Sequence, residues 1–129
     1  MSKVGSPWVF QEVIFGQGEA VQPGMYTHNG FVTEFRFGDD VGGAFQQRNI
    51  AQLGGGGGGS GGVPQSGWLP SSLSVPFLDN HDTQRGGAPL TYKAGDLYRI
   101  ANYFMLAHPF GYPKIMSSYY FSDHDQVRN

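Results

Sequence analysis

Two short segments contain the carboxylates of this chain that could act in catalysis. Glu12 lies in a mostly apolar segment, residues 10–14, and Asp82 ends a second segment, residues 77–82. Burying an unpaired carboxylate costs several kcal/mol, a large part of the stability of a small domain. We therefore expect a chain that places two carboxylates at the ends of apolar strands to use them. Two carboxylates at neighbouring strand ends are typical of acid/base chemistry on sugars.

The composition of the 129-residue chain argues against several classes of protein. The net charge is −2 and charged residues make up 14%, so neither a nucleic-acid partner nor a membrane partner is expected. No string approaches the roughly 20 apolar residues that span a bilayer. The first ten residues lack the pattern of a signal peptide, so any export signal is expected upstream. The chain has no cysteine, which excludes disulfides and thiolate metal sites.

The hydrophobic pattern predicts alternating strands and helices. Strands are predicted over residues 8–14, 31–37, 73–78 and 115–119. Helical spacing predicts one helix after a cap at Asp39 or Asp40 and a second helix over residues 92–108. This alternation indicates parallel strands joined by helical crossovers. Four such strands form an open sheet, so the chain is either a small α/β domain or part of something larger.

A glycine tract interrupts this pattern. Residues 54–62 contain eight glycines and one serine, a composition typical of a flexible, low-complexity segment. We interpret the tract as a loop insertion within one partial domain, residues 1–129, with an engineered or mis-joined tract as the alternative. A phosphate-binding loop is disfavoured because no Lys-Ser/Thr pair follows the glycines.

Several motifs together resemble the α-amylases, glycoside hydrolase family 13, of the animal type. Residues 11–14, 18–20 and 29–35 resemble the fifth and sixth strands of that family, and residues 79–86 resemble its seventh-strand motif. Residues 104–111 and 116–119 resemble the helix and strand that close its barrel. The resemblance implies an α/β fold: the second half of a TIM-type (β/α)8 barrel, with four parallel strands, helical crossovers and a site at the strand carboxyl ends.

The resemblance also implies roles for individual residues. Glu12 matches the general acid/base, and Asp82 matches the carboxylate that stabilises an oxocarbenium-like transition state. His81 matches a histidine that hydrogen-bonds a sugar hydroxyl, and Glu19 matches an acidic residue on the leaving-group side. The alternatives are an internal ion pair for Glu12, a capping role for Asp82, a structural role for His81 and a solvated loop position for Glu19.

The implied function is that of a retaining glycoside hydrolase that cleaves internal α-1,4-glucosidic bonds of starch or glycogen. Its partner would be an α-glucan polysaccharide or oligosaccharide, and the full-length protein would be secreted. The family's nucleophilic aspartate lies on the fourth strand, which this chain lacks, so we expect the isolated chain to be an inactive fragment. The alternative is a non-catalytic carbohydrate-binding or interaction fragment.

No cofactor or metal ligand is expected within the chain. The family's structural calcium is held by residues upstream of this segment, so it is expected only in the full-length protein. Animal-type enzymes often bind an activating chloride through an arginine, and Tyr120 occupies that place here. Asn80 matches another chloride-contacting position but cannot hold the anion alone, so no chloride dependence is expected. Residues 123–125, Asp-His-Asp, are interpreted as a solvated turn rather than a metal site.

Overall fold

The computed structural model of the chain describes residues 7–54, 62–118 and 120–126. Three short strands form a parallel sheet in the order β1 (Phe10–Gln11), β2 (Phe31–Glu34) and β3 (Ser74–Pro76). Helix α1 (Phe35–Gln46) directly follows β2, and helix α2 (Asp96–Ala107) comes after β3. Short 3-10 helices complete the connections: Pro23–Asn29, Ile50–Leu53, Ser71–Leu73, Thr83–Arg85 and Tyr92–Ala94.

The parallel α/β arrangement is confirmed, but the described residues do not form the four strands that the pattern predicts. Residues 115–118 are not a strand, and residue 119 lies outside the described residues. Instead, Tyr112 and Lys114 each donate a backbone N–H at 2.9 Å, to the carbonyls of Ser74 and Pro76 on the free edge of β3. Pro76 has no N–H to return, so this ladder stays incomplete.

Helix α1 begins four residues before the predicted cap. The sequence predicts a strand to residue 37 and a cap at Asp39 or Asp40, but β2 ends at Glu34 and both aspartates lie inside α1. The Glu34 side chain accepts the backbone N–H of Arg36 at 3.3 Å and so caps the helix itself. A Cβ on Gly38 would lie 2.8 Å from two backbone carbonyl oxygens of the segment after β3. A glycine therefore lets α1 pack directly against that segment.

The main core lies between α1, α2 and the segments that follow β3. The Phe37 and Phe110 rings stack in parallel with their centroids 6.0 Å apart. A smaller cluster of Val13, Val32 and Leu69 lies under β1 and β2. Both helices are amphipathic and turn their apolar faces to this core, whose buried members include Phe37, Val41, Ala44, Leu78, Leu90, Tyr98, Ala101, Met105 and Phe110.

The second predicted helix is divided into two parts. Thr91 caps a 3-10 turn by accepting the backbone N–H of Lys93 at 3.4 Å, and Gly95, at φ 59°, breaks the chain before α2. Neither helix in the described residues is long and apolar enough to cross a bilayer. Residues 55–61 of the glycine tract lie outside the described residues, so the insertion stays a prediction. The Gly62 N–H donates to the Gln52 carbonyl at 2.8 Å, so the chain re-enters the fold beside its point of exit.

Candidate active site

Glu12 is held at the carboxyl end of β1 by its neighbours on β2. The Thr33 hydroxyl donates to the Gln11 carbonyl at 3.3 Å and accepts the Val13 N–H at 3.4 Å. One side chain of β2 therefore fixes the backbone on both sides of Glu12. Because the strands are parallel, this places Glu12 at the same edge of the sheet as the loop that follows β3.

Asn80, in the loop after β3, joins Glu12 to the turn that carries Asp82. Its Nδ2 donates to Glu12 Oε1 at 2.7 Å. Its Oδ1 accepts the backbone N–H of Asp82 at 3.1 Å and that of Thr83 at 2.8 Å, which is an Asx turn. The structure thus brings Glu12, His81 and Asp82 to one rim, with the His81 Nε2 and Asp82 Oδ2 atoms 3.6 Å apart.

A cleft of about 330 Å³, here called the rim cleft, opens beside these residues. Its wall combines aromatic and aliphatic surface with a few polar groups, as small-ligand sites usually do. Glu12 and His81 lie in the wall, whereas Asp82 does not. The lining residues are Phe10, Glu12, Thr33, Phe77, Asp79, Asn80, His81, Lys114 and Met116.

The carboxylates at the rim are exposed rather than buried. The sequence suggested that Glu12 and Asp82 end buried strands, but Glu12 is exposed and the Asp82 side chain is 69% exposed. This expectation is wrong because β1 already ends at Gln11 and β3 at Pro76, before either acid.

The fully buried carboxylate of the sheet is that of Glu34, which serves the fold. Arg36 donates to it through Nε at 2.6 Å and Nη2 at 2.5 Å, and the Leu69 N–H donates at 2.9 Å. The charge is thus paired and hydrogen-bonded, as a buried ion requires.

Asp79 is a second buried carboxylate, 2% exposed, and it lies in the wall of the rim cleft. Its Oδ1 accepts the Tyr98 hydroxyl of α2 at 2.7 Å. Burial raises the pKa of Asp79 despite this hydrogen bond, and burial together with Asp79 raises the pKa of the Tyr98 phenol. Sequence reasoning missed Asp79, because apolar neighbours such as Phe77-Leu78 do not by themselves distinguish a buried acid from an exposed one.

Glu19 lies apart from these residues. Its Oε2 accepts the N–H of Gly16 at 2.9 Å, so the carboxylate closes its own exposed turn. It does not line the rim cleft. The structure therefore does not bring Glu19 to Glu12 and Asp82, and the geometry is that of a solvated loop glutamate.

Comparison with known proteins shows which proteins this chain is similar to. No family model matches the chain. An α-amylase from Thermomonospora curvata is 46% identical over 123 residues, and one from Tenebrio molitor is 46% identical over 126 residues. An α-amylase-related protein from Drosophila pseudoobscura pseudoobscura is 43% identical over 122 residues. This chain is homologous to the α-amylases. The resemblance seen in the sequence is thereby confirmed.

The homology covers nearly all of this chain but only part of each α-amylase. The three relatives match 93–95% of the chain, which spans 19–25% of their length. The α-amylase I of Eisenia fetida superimposes with a TM-score of 0.78 at 35% identity, over 95% of this chain and 25% of its own. A variant of it in complex with maltohexaose gives 0.74 at 37% identity, over 88% and 23%.

Two further features of this α-amylase homologue come from the structure alone. Lys114 lies in the rim cleft with its Nζ 4.0 Å from the centre of the Phe10 ring, a cation–π contact that no sequence pattern signalled. Tyr120 is 89% exposed and packs edge-on against Tyr92. Among the described residues, no three His, Cys, Asp or Glu side chains are grouped as a metal site would require.

Proposed function

We propose that the protein carrying this segment is a retaining glycoside hydrolase of the α-amylase type. It would cleave internal α-1,4-glucosidic bonds of starch or glycogen. The observation that carries this proposal is the Asn80 side chain, which joins Glu12 to the Asp82 turn at the carboxyl end of a parallel sheet. Identity of 43–46% to α-amylases supports it, and favours hydrolysis over a non-catalytic fragment.

In the proposed reaction, Glu12 acts as the general acid and then as the general base. It protonates the glycosidic oxygen while a carboxylate supplied by another part of the barrel attacks the anomeric carbon. Glu12 then takes a proton from water, which attacks the same carbon and releases the sugar. Asp82 stabilises the positive charge that develops on the ring, and His81 hydrogen-bonds a hydroxyl of the bound glucose unit. Glu19 would contact the leaving-group side in the complete cleft.

The remainder of a (β/α)8 barrel would complete the site. The edge strand β1 and the aromatic group of Trp8, Phe10, Phe31 and Tyr112 lie partly exposed on the present sheet. Additional parallel strands would pair with that edge and close the sheet. They would also supply the nucleophile.

The cofactor and location proposals follow the same family likeness. A structural calcium would be held by residues of the complete protein outside this segment, and no step here depends on it. Activity would not require chloride, because Tyr120 lacks the fixed positive charge with which an arginine binds that anion. The complete protein would be secreted.

The test is to place the whole 129-residue chain into a complete barrel. In this grafted enzyme, the chain replaces the homologous segment of the Eisenia fetida α-amylase I. We expect turnover of a chromogenic maltooligosaccharide, and a loss of about 100- to 10,000-fold in kcat for Glu12→Gln, the range for general acid/base catalysis. Asp96→Asn, an exposed change on α2, is the matched control and should retain activity.

Two outcomes would contradict the proposal. A grafted enzyme that folds and binds maltohexaose without hydrolysing it would support the non-catalytic alternative. Hydrolysis that persists unchanged in Glu12→Gln would remove Glu12 from the mechanism. The isolated 129-residue chain should show no turnover, and robust hydrolysis by it would mean that a nucleophile lies within the segment.

A further inference from the structure

The orientation of the Asn80 side chain is determined by its hydrogen bonds. Two backbone N–H groups, those of Asp82 and Thr83, point at one end of the amide, at 3.1 and 2.8 Å. Only an oxygen can accept both, so Oδ1 faces the turn. The NH₂ group must then face Glu12, to which it donates at 2.7 Å. The direction of the bond between Asn80 and Glu12 is therefore fixed.

This direction has a consequence for the proton of Glu12. The amide N–H of Asn80 donates to Oε1 of Glu12. Oε1 is therefore an acceptor and cannot carry an acidic proton toward Asn80. The neutral carboxyl group therefore carries its proton on Oε2. No group among the described residues hydrogen-bonds Oε2, which leaves that oxygen available to a ligand in the rim cleft.

The same amide makes the two acids one structural unit. Glu12 and Asn80 are 68 residues apart, and they follow the two outer strands of the sheet, β1 and β3, which have β2 between them. An Asx turn needs only the oxygen of its asparagine, so the turn alone does not account for the Nδ2 bond. The Asn80 N–H also donates to the Thr83 hydroxyl at 2.9 Å, which closes the turn a second time.

We propose that Asn80 is a positioning residue that directs the Glu12 proton to Oε2 and keeps Glu12 in register with Asp82. This proposal rests on the proposed glycosidase function. Asn80 does not touch reacting atoms; it acts through Glu12. The other titratable groups in the rim cleft are Asp79, His81 and Lys114.

The test is Asn80→Asp in the grafted enzyme. A carboxylate keeps the acceptor for both backbone N–H groups but removes the donor to Glu12. We expect kcat at neutral pH to fall about 10- to 100-fold, the value of one hydrogen bond to a charged group, with KM changed less than about 3-fold. The loss should shrink toward acidic pH, where the introduced carboxyl is protonated and again donates. Thr83→Val, which affects only the turn, should stay within about 3-fold of the parent.

The outcomes separate this proposal from the one on which it rests. An active parent with Asn80→Asp unchanged at every pH overturns the positioning role and leaves the glycosidase function intact. Equal losses in Asn80→Asp and Thr83→Val, without a change in the pH profile, also overturn it, because the turn alone would then account for them. A folded but inactive parent overturns the proposed function itself.

Discussion

Arg36→Met tests whether the buried charge of the sheet depends on a single partner. The change removes two charge-assisted hydrogen bonds to the fully buried Glu34 and leaves it the backbone N–H groups of Leu69 and residue 36. Removing one partner of a buried ion pair costs about 3–5 kcal/mol. The Arg36 side chain is 30% exposed, so water can replace part of what is lost. We therefore expect the free energy of unfolding to fall by about 3 kcal/mol, the lower end of that range.

This loss of stability can be measured by urea denaturation, with the fluorescence of Trp68 as the probe of the region around Glu34 and Arg36. Trp68 lies between Gly67, whose carbonyl accepts from Arg36 at 2.8 Å, and Leu69, which donates to Glu34. With an m-value of about 1–3 kcal/mol per M, the midpoint should fall by about 1–3 M at fixed protein concentration.

The control for Arg36→Met is the same change at an exposed ion pair. Arg99 pairs with Asp96 on the surface of α2, where solvent screens the pair, so Arg99→Met should leave the free energy of unfolding nearly unchanged. The reasoning is refuted if Arg36→Met costs less than about 1 kcal/mol or matches the control.

Three further measurements test other parts of the structure. Gly38→Ala would place a Cβ 2.8 Å from two backbone oxygens and should lower the free energy of unfolding by about 1–3 kcal/mol, whereas Gly43→Ala, with no atom nearer than 4.0 Å, should be neutral or stabilising. The raised pKa of Asp79 means that the native state holds this proton more tightly than the unfolded chain. The free energy of unfolding should therefore decline as pH rises from 3.8 through the raised pKa, less steeply in Asp79→Asn. Activity of the grafted enzyme should not change when chloride is replaced by nitrate, whereas Tyr120→Arg should introduce a response.

The sequence predicts the parallel alternation but not where its strands end. Phe35 and Phe37 continue the alternation of β2, so the pattern alone extends the strand through them. Helix α1 starts earlier because the Glu34 carboxylate accepts the Arg36 N–H. That carboxylate is held in place by Leu69, 35 residues away, and no local pattern contains this contact.

The burial of the acids could not be predicted from their neighbours in the sequence. Glu12 lies within a mostly apolar segment and Asp79 directly follows another, yet Glu12 is exposed and Asp79 is buried. What differs is a partner distant in the chain, because the Tyr98 hydroxyl reaches Asp79 from α2. The resemblance implied that Glu12 and Asp82 share one site, but the hydrogen bonds of Asn80 to Glu12 and to the Asp82 backbone required the side-chain geometry.

The acids of this segment divide according to what they contact. Glu34 and Asp79 are buried, and each accepts a hydrogen bond from another side chain. Their substitution should therefore affect the stability of the fold more than catalysis. Glu12 and Asp82 are exposed at a rim, where the amide of Asn80 and its turn hold both and the Thr33 hydroxyl holds the backbone around Glu12. This arrangement is suitable for groups that must meet a substrate. None of these contacts is made by a residue of the main core. The geometry of the two exposed acids should therefore depend on the loop after β3 more than on the packing of α1 and α2, and Asn80→Asp should change activity without a comparable loss of stability.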